Sequence, residues 1–446
     1  MKKEEKIKTN WGYLGILILV SGFFLGTIFW VQKISEIPLE NLSRTENLVI
    51  KENSGDGDEN KDKKEIVDEV MMVPKVDEEL VKQKIEEGKE FLLRMEHPKY
   101  HGFYKKYDAL NDSFEPKLHT VYSASIIYTL LKVYDFDKDK RILDKIPQWA
   151  DFLLFMQSKE KETLGAFHYS FYFEKKEKQL RFVVGTAGLS IFTLIDLYQR
   201  TKDERYLESA KLAGDWLIKM QSEDGVVKPY LEYENGKWVT GKKESLLYNG
   251  QVLSALSRLY NQTKEEKYLK AAQKIANHFI KRIAENGCYL GDDYRSPNPI
   301  SSAWVVMALR DFYRINPKET YKNIIFGCAS NLLKRQLDDP TEPLYYGRWG
   351  GALSSSGNGW LAEVMTEIYH FCQQQRETDC EKYKTAVQKV IVWLIQNTYS
   401  RDNTSELPNP QRAIGGIFWN YDNKYVRTDS VCHALNAYLG IISGLL

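Results

Sequence analysis

The residues best placed to do chemistry crowd one short run near the C-terminus, RTDSVCH, which holds Arg427, Asp429 and His433. Asp429 and His433 are four apart, so on a helix their side chains are neighbours. A carboxylate that accepts a hydrogen bond from an imidazole orients the ring and raises its basicity, which is how a general base is made. Arg427 offers a planar pair of donors suited to a carboxylate, that of a uronic acid included. The bland reading of the same run is a salt-bridged helix start with a core histidine. Other carboxylates stand beside predicted helix starts: the adjacent pair Asp292 and Asp293, then Glu363, Glu244 and Asp108. Hydrolysis of a glycosidic bond needs two carboxyl groups flanking it, one protonated and one ionised. Helix capping and Asx-turns ask for the same residue types, so each carboxylate taken alone also fits a cap. His119 and His168 lie in similar segments and suit proton transfer next to a carboxylate.

Aromatic residues make up 13% of the chain and gather in the same segments. Tyr248, Tyr294, Trp349 and Trp360, together with Trp238, Trp304, Trp419 and Tyr230, offer faces on which the CH side of a sugar ring can stack, though a ring of helices also packs its axis with such residues. The five Cys include no C-x-x-C, so zinc is not expected. Cys372 and Cys380 flank a turn and would pair in an oxidising compartment, and the odd count leaves a thiol over. There is no calcium loop, phosphate loop or G-x-S-x-G elbow, so no cofactor is implied and a serine hydrolase is not supported.

Positioning these residues is the work of a repeat. The segments SASIIYTLLKVYDFDKDKRILDKIPQWADFLLFMQ, GLSIFTLIDLYQRTKDERYLESAKLAGDWLIKMQ and GQVLSALSRLYNQTKEEKYLKAAQKIANHFIKRI each read as helix, charged turn, helix. In the turns TKDE and TKEE a Thr three positions before Glu resembles a capping box. Extending the pattern predicts twelve helices over about 79–96, 119–134, 139–157, 186–200, 204–221, 245–261, 266–285, 300–315, 318–337, 358–374, 381–399 and 428–443. The even-numbered ones are richer in apolar and small residues, and their partners carry Lys and Glu on one face, which predicts an inner and an outer ring. Connections into the outer helices are short, and those into the inner helices are long. The long loops therefore gather on one face, where function is expected. The fold class is all-α, an (α/α)6 toroid of six helical hairpins, with an open α-solenoid as the structural alternative.

Six hairpins with a Gly-x-aromatic loop before each inner helix resemble the six-hairpin toroid superfamily of glycoside hydrolases, unsaturated uronyl hydrolases, polysaccharide lyases and sugar epimerases. The resemblance covers about residues 80–446. The piece LLYNGQVLSALSRLYNQTKEEKYLKAA (246–272) is similar to a hairpin of the mannan-hydrolysing and uronyl-epimerising members. Mannan hydrolases of this kind carry paired Asp followed by aromatics. Here Asp292-Asp293-Tyr294 follows the similar hairpin without the Trp pair. QSEDGVVKP (221–229) resembles the Gln-x-x-x-Gly repeats of squalene cyclases and prenyltransferases, whose acidic and zinc-ligand motifs are not evident here.

The remaining sequence speaks to location. Residues 1–10 hold four Lys and two Glu, Trp11–Gln32 holds no charge, and Leu14–Val31 is long enough to span a bilayer core as a helix. This predicts a transmembrane signal anchor over 11–32 with a cytoplasmic N-terminus. Residues 33–75 carry seven basic and eleven acidic residues and no aromatic, the composition of a disordered tether. The body over 76–446 would then lie outside the cell membrane. A net charge of +1 gives no nucleic-acid footprint. The leading expectation is a membrane-anchored hydrolase, lyase or epimerase acting on a cell-surface or exported polysaccharide. The expected substrate contacts are Arg427, Tyr294, Trp349, Trp360, Tyr248, His119, His168 and Glu244. A non-catalytic toroid binding glycan or peptide in an envelope complex is the second expectation, and a terpenoid cyclase, which needs an apolar central chamber, the third.

Overall fold

A computed structural model of the chain describes residues 76–445, within a compact unit spanning Met71–Leu446. The expected N-terminal segment, anchor and tether (1–10, 11–32 and 33–75) lie outside the described residues. Among the described residues no helix is long and apolar enough to cross a membrane. The described residues form twelve long helices: α1 (Glu78–Arg94), α2 (Thr120–Asp137), α3 (Lys140–Met156), α4 (Val184–Thr201), α5 (Glu204–Lys219), α6 (Leu246–Thr263), α7 (Glu266–Asn286), α8 (Pro299–Tyr313), α9 (Glu319–Leu333), α10 (Ser355–Gln374), α11 (Glu381–Gln396) and α12 (Thr428–Leu445).

Helices α2, α4, α6, α8, α10 and α12 each pack on the next, and α12 returns to α2. That closure excludes an open solenoid. Each inner helix is backed by the outer helix that follows it, except that α12 is backed by α1, so the first and last helices of the body complete the sixth hairpin. Burial follows the sequence pattern. Outer helix α3 buries one stripe, Ile142, Ile146, Trp149, Leu153 and Met156, while inner helix α4 buries twelve of its eighteen residues.

The short turns share one geometry. Lys138, Lys202 and Lys264 end α2, α4 and α6 in the left-handed region with φ of 59°, 60° and 59°. Asp139 and Asp203 then cap α3 and α5 by accepting from the amides of Arg141 and Arg205. The Thr of the turn is not the cap, contrary to expectation. Thr201 and Thr263 accept from the amides two residues on.

The Gln-x-x-x-Gly pattern is a structural clamp. Gln157, Gln221 and Gln336, at the ends of α3, α5 and α9, each donate Nε2 to a carbonyl of the following outer helix, those of Ser209, Ala271 and Ala386. The glycine beyond lies flat on that same helix. Gly225 has φ of +94°, and a Cβ there would stand 2.3 Å from the Lys274 carbonyl oxygen. Gly225→Ala is therefore expected to destabilise the body by more than ~1 kcal/mol, read as a lower denaturant midpoint at unchanged slope. A Tm equal to wild type would contradict the clamp.

The long loops gather on one face, and there the expectation of an all-α chain is corrected. Among the described residues nine short strands pair into three antiparallel sheets. The ribbons form because loops such as YSFYFEKKEKQLRFV alternate apolar and polar residues around turns such as that at Lys176, with φ of 56°. One sheet joins the first long loop to the last, with Lys106 opposite Arg427, and so closes the face as well as the ring. Cys372 pairs with Cys380 as expected, Cys288 pairs with Cys328, and Cys432 is free and buried. Burial pushes the Cys432 thiol up, which keeps it protonated and inert.

Candidate active site

The inner helices converge on a well of about 450 Å³ at the loop face. Every inner helix contributes a residue of its first turn and another three or four positions on. The upper ring is Tyr122, Thr186, Tyr248, Ile300, Ser356 and Asp429. The lower ring is Ser125, Leu189, Gln251, Trp304, Trp360 and His433. Residues at that spacing share a helix face, so both rings look into the axis. Trp304 and Trp360 stack with centroids 3.8 Å apart and planes 17° apart, and His433 meets Trp360 edge-on at 5.3 Å. Together they floor the well.

Two side-chain pairs are anchored on α12, one through Asp429 and one through His433. Arg427 donates through Nε and Nη2 to the two oxygens of Asp429, at 3.1 and 2.5 Å, and Ser356 donates its hydroxyl to the same carboxylate at 2.8 Å. Arg427 also donates to Tyr122 Oη and lies 4.4 Å over the Trp419 ring. Its Nε and Nη2 are thus already engaged. One turn below, His433 does not pair with Asp429 as its spacing suggests. Its Nδ1 lies 2.8 Å from Glu363 Oε2 on α10. Helices α10 and α12 can approach this closely because Gly359 has no side chain: a Cβ there would come 3.1 Å from that of His433.

Glu363 is buried, which would raise its pKa, but His433, Lys132 (Nζ 3.8 Å away) and the Asn436 amide hold it below the usual carboxylate range. The carboxylate is therefore ionised, and His433 Nδ1 is the donor. That fixes the tautomer of the neutral ring with Nε2 as acceptor. Nε2 makes no hydrogen bond among the described residues.

Beneath the floor a chamber of about 50 Å³, room for a few waters, leads to a layer of buried charge. Arg258 donates to Asp311 and to Tyr128 Oη, both at 3.1 Å, and Arg310 pairs with Asp311 at 2.7 Å and with Glu367. Burial raises the Tyr128 phenol, but Lys132 and Arg258 overcome that and bring it below its ordinary value. The axis therefore carries buried charge beneath its aromatic floor, which an apolar cyclase chamber would not.

The other candidates stand elsewhere. Asp292 is buried beside the well in a separate depression, accepting from the amides of Leu246, Tyr294 and Arg295. Asp293 accepts from the Glu244 amide at 2.7 Å. Both cap backbone where α6 begins. Glu244 binds His278, Arg282 and Asn249, tying α6 to α7. His119 sits behind the wall between Glu115 and Ser170, and His168 contacts the Gln179 carbonyl. Burial lowers both imidazoles. Trp349 is fully buried and donates to the Leu332 carbonyl, so it is core. Tyr294 is exposed over the outer depression, and Asp108 caps its own turn through the amides of Leu110 and Asn111. Of the expected residues, Asp429, His433, Arg427, Trp360 and Tyr248 meet at the well, with Glu363 directly behind His433.

Comparison with known proteins agrees with this architecture. Residues 186–325, about a third of the chain, match the family model for glycosyl hydrolase family 76. No curated protein matches. Cellobiose 2-epimerase from Bacillus thermoamylovorans superposes with a TM-score of 0.63 at 14% identity, covering 82% of this chain and 99% of that one. The chain has the six-hairpin glycosidase-like fold. An inactive doubly substituted α-1,6-mannanase of a Salegentibacter species, in complex with α-1,6-mannotriose, superposes with a TM-score of 0.58 at 14% identity over 81% of this chain and 98% of that one. An unsaturated glucuronyl hydrolase from Streptococcus agalactiae gives a TM-score of 0.59 at 14% identity over 82% and 92%.

Proposed function

We propose that this protein is a carbohydrate-active enzyme that moves a proton on a sugar held in the axial well, in the manner of an epimerase or lyase, with His433 and Glu363 as the proton-transfer pair. The observation that carries the reading is the ionised Glu363 bound to His433 Nδ1 at a floor of stacked indoles. A pair of that kind presents Nε2 as a base at an apolar floor. Two-carboxylate hydrolysis fits less well. Glu363 is held ionised and Asp429 already accepts from Arg427 and Ser356, so the well holds no unengaged pair of carboxyls facing each other.

A mannan-type hydrolase is the second reading, favoured by the family match over 186–325. The mannanase neighbour is inactivated by substitution of two adjacent aspartates. The adjacent pair in this chain, Asp292 and Asp293, holds backbone amides outside the well. One screen separates the readings. The protein is incubated in D2O with neutral and uronate oligosaccharides, following solvent deuterium in the sugar, new reducing ends and double-bond absorbance. Deuterium exchange is expected, without cleavage if the enzyme is an epimerase and with double-bond absorbance if it is a lyase. New reducing ends abolished by Asp292→Asn and Asp293→Asn, and retained by His433→Asn, would favour the hydrolase.

We further propose that residues 11–32 anchor the body on the outer side of a membrane. The charge-free stretch Leu14–Val31 supports this, as do two disulfides, which persist in oxidising compartments. The full chain is expected to stay with membranes through an alkaline wash, with its body open to protease added from outside. Release by the wash would contradict the anchor.

A further inference from the structure

We propose that Tyr248 is the second proton-transfer residue of the well, giving up its phenol proton on the side of the sugar opposite His433. This deepens the epimerase or lyase reading above and rests on it. Either reaction needs a donor as well as a base. An epimerase takes a proton from one face of a carbon and returns one to the other face, and a lyase takes one from carbon and gives one to the departing oxygen. An imidazole on one wall reaches one side of a sugar ring, so a donor on the facing wall completes either reaction.

The lining of the well narrows the choice to one group. Besides His433, its ionisable side chains are Tyr122, Tyr169, Tyr248, Arg295, Arg427 and Asp429. Arginine keeps its proton in proteins, which sets aside Arg295 and Arg427. Asp429 accepts from Arg427 and Ser356, and Tyr122 Oη accepts from Arg427. Two phenols are left, Tyr169 and Tyr248, both half-buried and with hydroxyls that make no hydrogen bond among the described residues. Tyr169 stands beside His119, with ring centroids 5.3 Å apart, and its carbonyl accepts from the Thr120 amide, so it belongs to the start of α2, the neighbour of α12. Tyr248 stands on the first turn of α6, which is three places from α12 in the ring of six and hence opposite it. Its ring rests on the first turn of α4, where a Cβ on Gly185 would come 2.7 Å from Cδ1, and that contact holds the ring in place. Burial raises the Tyr248 phenol, with Asp292 adding to the effect, so the group keeps its proton at neutral pH as a general acid must. Arg295 and Arg181 act the other way and would steady the phenolate left once the proton is given.

The electron count closes without a co-reactant. His433 Nε2 takes a proton from a carbon next to a carbonyl or carboxylate, and the C–H electrons move onto that carbonyl oxygen. In epimerisation they return to the carbon as Tyr248 protonates its other face. In elimination they form a carbon–carbon double bond, the bond to the glycosidic oxygen breaks, and that oxygen takes the Tyr248 proton. Proton exchange with water then restores the imidazole and the phenol.

The test compares full-length wild type, Tyr248→Phe and His433→Asn in D2O. The probes are reducing β-1,4-linked disaccharides of glucose and of mannose, with oligogalacturonates as the uronate set. Deuterium in recovered substrate and the amount of product are followed together. Tyr248→Phe keeps the ring and loses only the hydroxyl, so its Tm should match wild type. It is expected to go on exchanging the substrate hydrogen through His433 while product formation falls ~10²-fold or more at little change in KM. His433→Asn should lose both. Arg295→Gln removes a charge beside the phenolate, is expected to lower product formation more than exchange, and serves as the second variant if Tyr248→Phe folds poorly. Undiminished product formation by Tyr248→Phe, or equal loss of exchange and product, would overturn the inference and leave the proton-transfer reading standing wherever His433→Asn is inactive. A wild type that neither exchanges nor converts any probe overturns the two together.

Discussion

His433→Asn is expected to lower turnover by ~10²–10⁴-fold, the range by which a positioned acid–base group contributes. Asparagine can still donate an amide hydrogen to Glu363 Oε2, 2.8 Å from Nδ1 in the native pair, so the buried carboxylate keeps a partner. What disappears is Nε2, the ring nitrogen that faces away from Glu363. A Tm within a few degrees of wild type should accompany the loss, which separates chemistry from folding. Glu363→Gln tests the other half. It leaves the imidazole in place but removes the charge that sets its tautomer, so kcat should fall with little change in KM. The sign of the pH effect on stability follows from the lowered Glu363 pKa. A folded value below the unfolded one stabilises the protein above the unfolded pKa of about 4.3, and that stabilisation is lost as pH falls through the folded value. Wild type should therefore lose stability on acidification more steeply than Glu363→Gln does. Equal activity in His433→Asn and wild type would remove the proposed base.

Asp311→Asn should cost about 3–5 kcal/mol, the range found when one partner of a buried ion pair is removed. Asp311 is buried between Arg258 (3.1 Å) and Arg310 (2.7 Å), and both guanidiniums would lose their common counter-charge. Burial alone would raise the carboxyl, but the two arginines overcome it and hold it at about 2. Because the folded value lies below the ordinary carboxylate value of about 3.9, this stabilisation is complete above that pH and drains away as pH falls toward 2. Equilibrium unfolding in urea between pH 7 and 3 measures both effects. A shift under 1 kcal/mol at pH 7 would show that the layer beneath the floor does not hold the toroid together. Replacing Asp311, Arg258 and Arg310 together by apolar residues should cost far less than Asp311→Asn, because no charge is left stranded.

The repeat made the fold legible, since apolar periodicity and loop length are local properties that each hairpin states again. The short turns, the inner and outer rings and the crowded loop face all follow from it. What the pattern could not show is which parts meet across the ring. Glu363 and His433 are 70 residues apart on successive inner helices, and Asp429 at i, i+4 was the nearer partner on paper. Asp292 and Asp293 look catalytic as an acidic pair, yet their partners are amides 46 and 49 residues earlier in the chain, where two loops cross. Trp304 showed only as one ring among many. Thr186 and Gln251 lie inside helices, with no local signal that their side chains would reach an axis. Only the spacing of three or four residues after each inner-helix start could have found them, once the toroid was assumed.

The most direct test is a crystal structure of the protein with a bound neutral oligosaccharide. A sugar ring in the axial well, with a hydroxyl or ring carbon within reach of His433 Nε2, is the predicted result. A sugar lodged instead in the outer depression beside Asp292, Asp293 and Tyr294, with the axial well empty, would contradict the account.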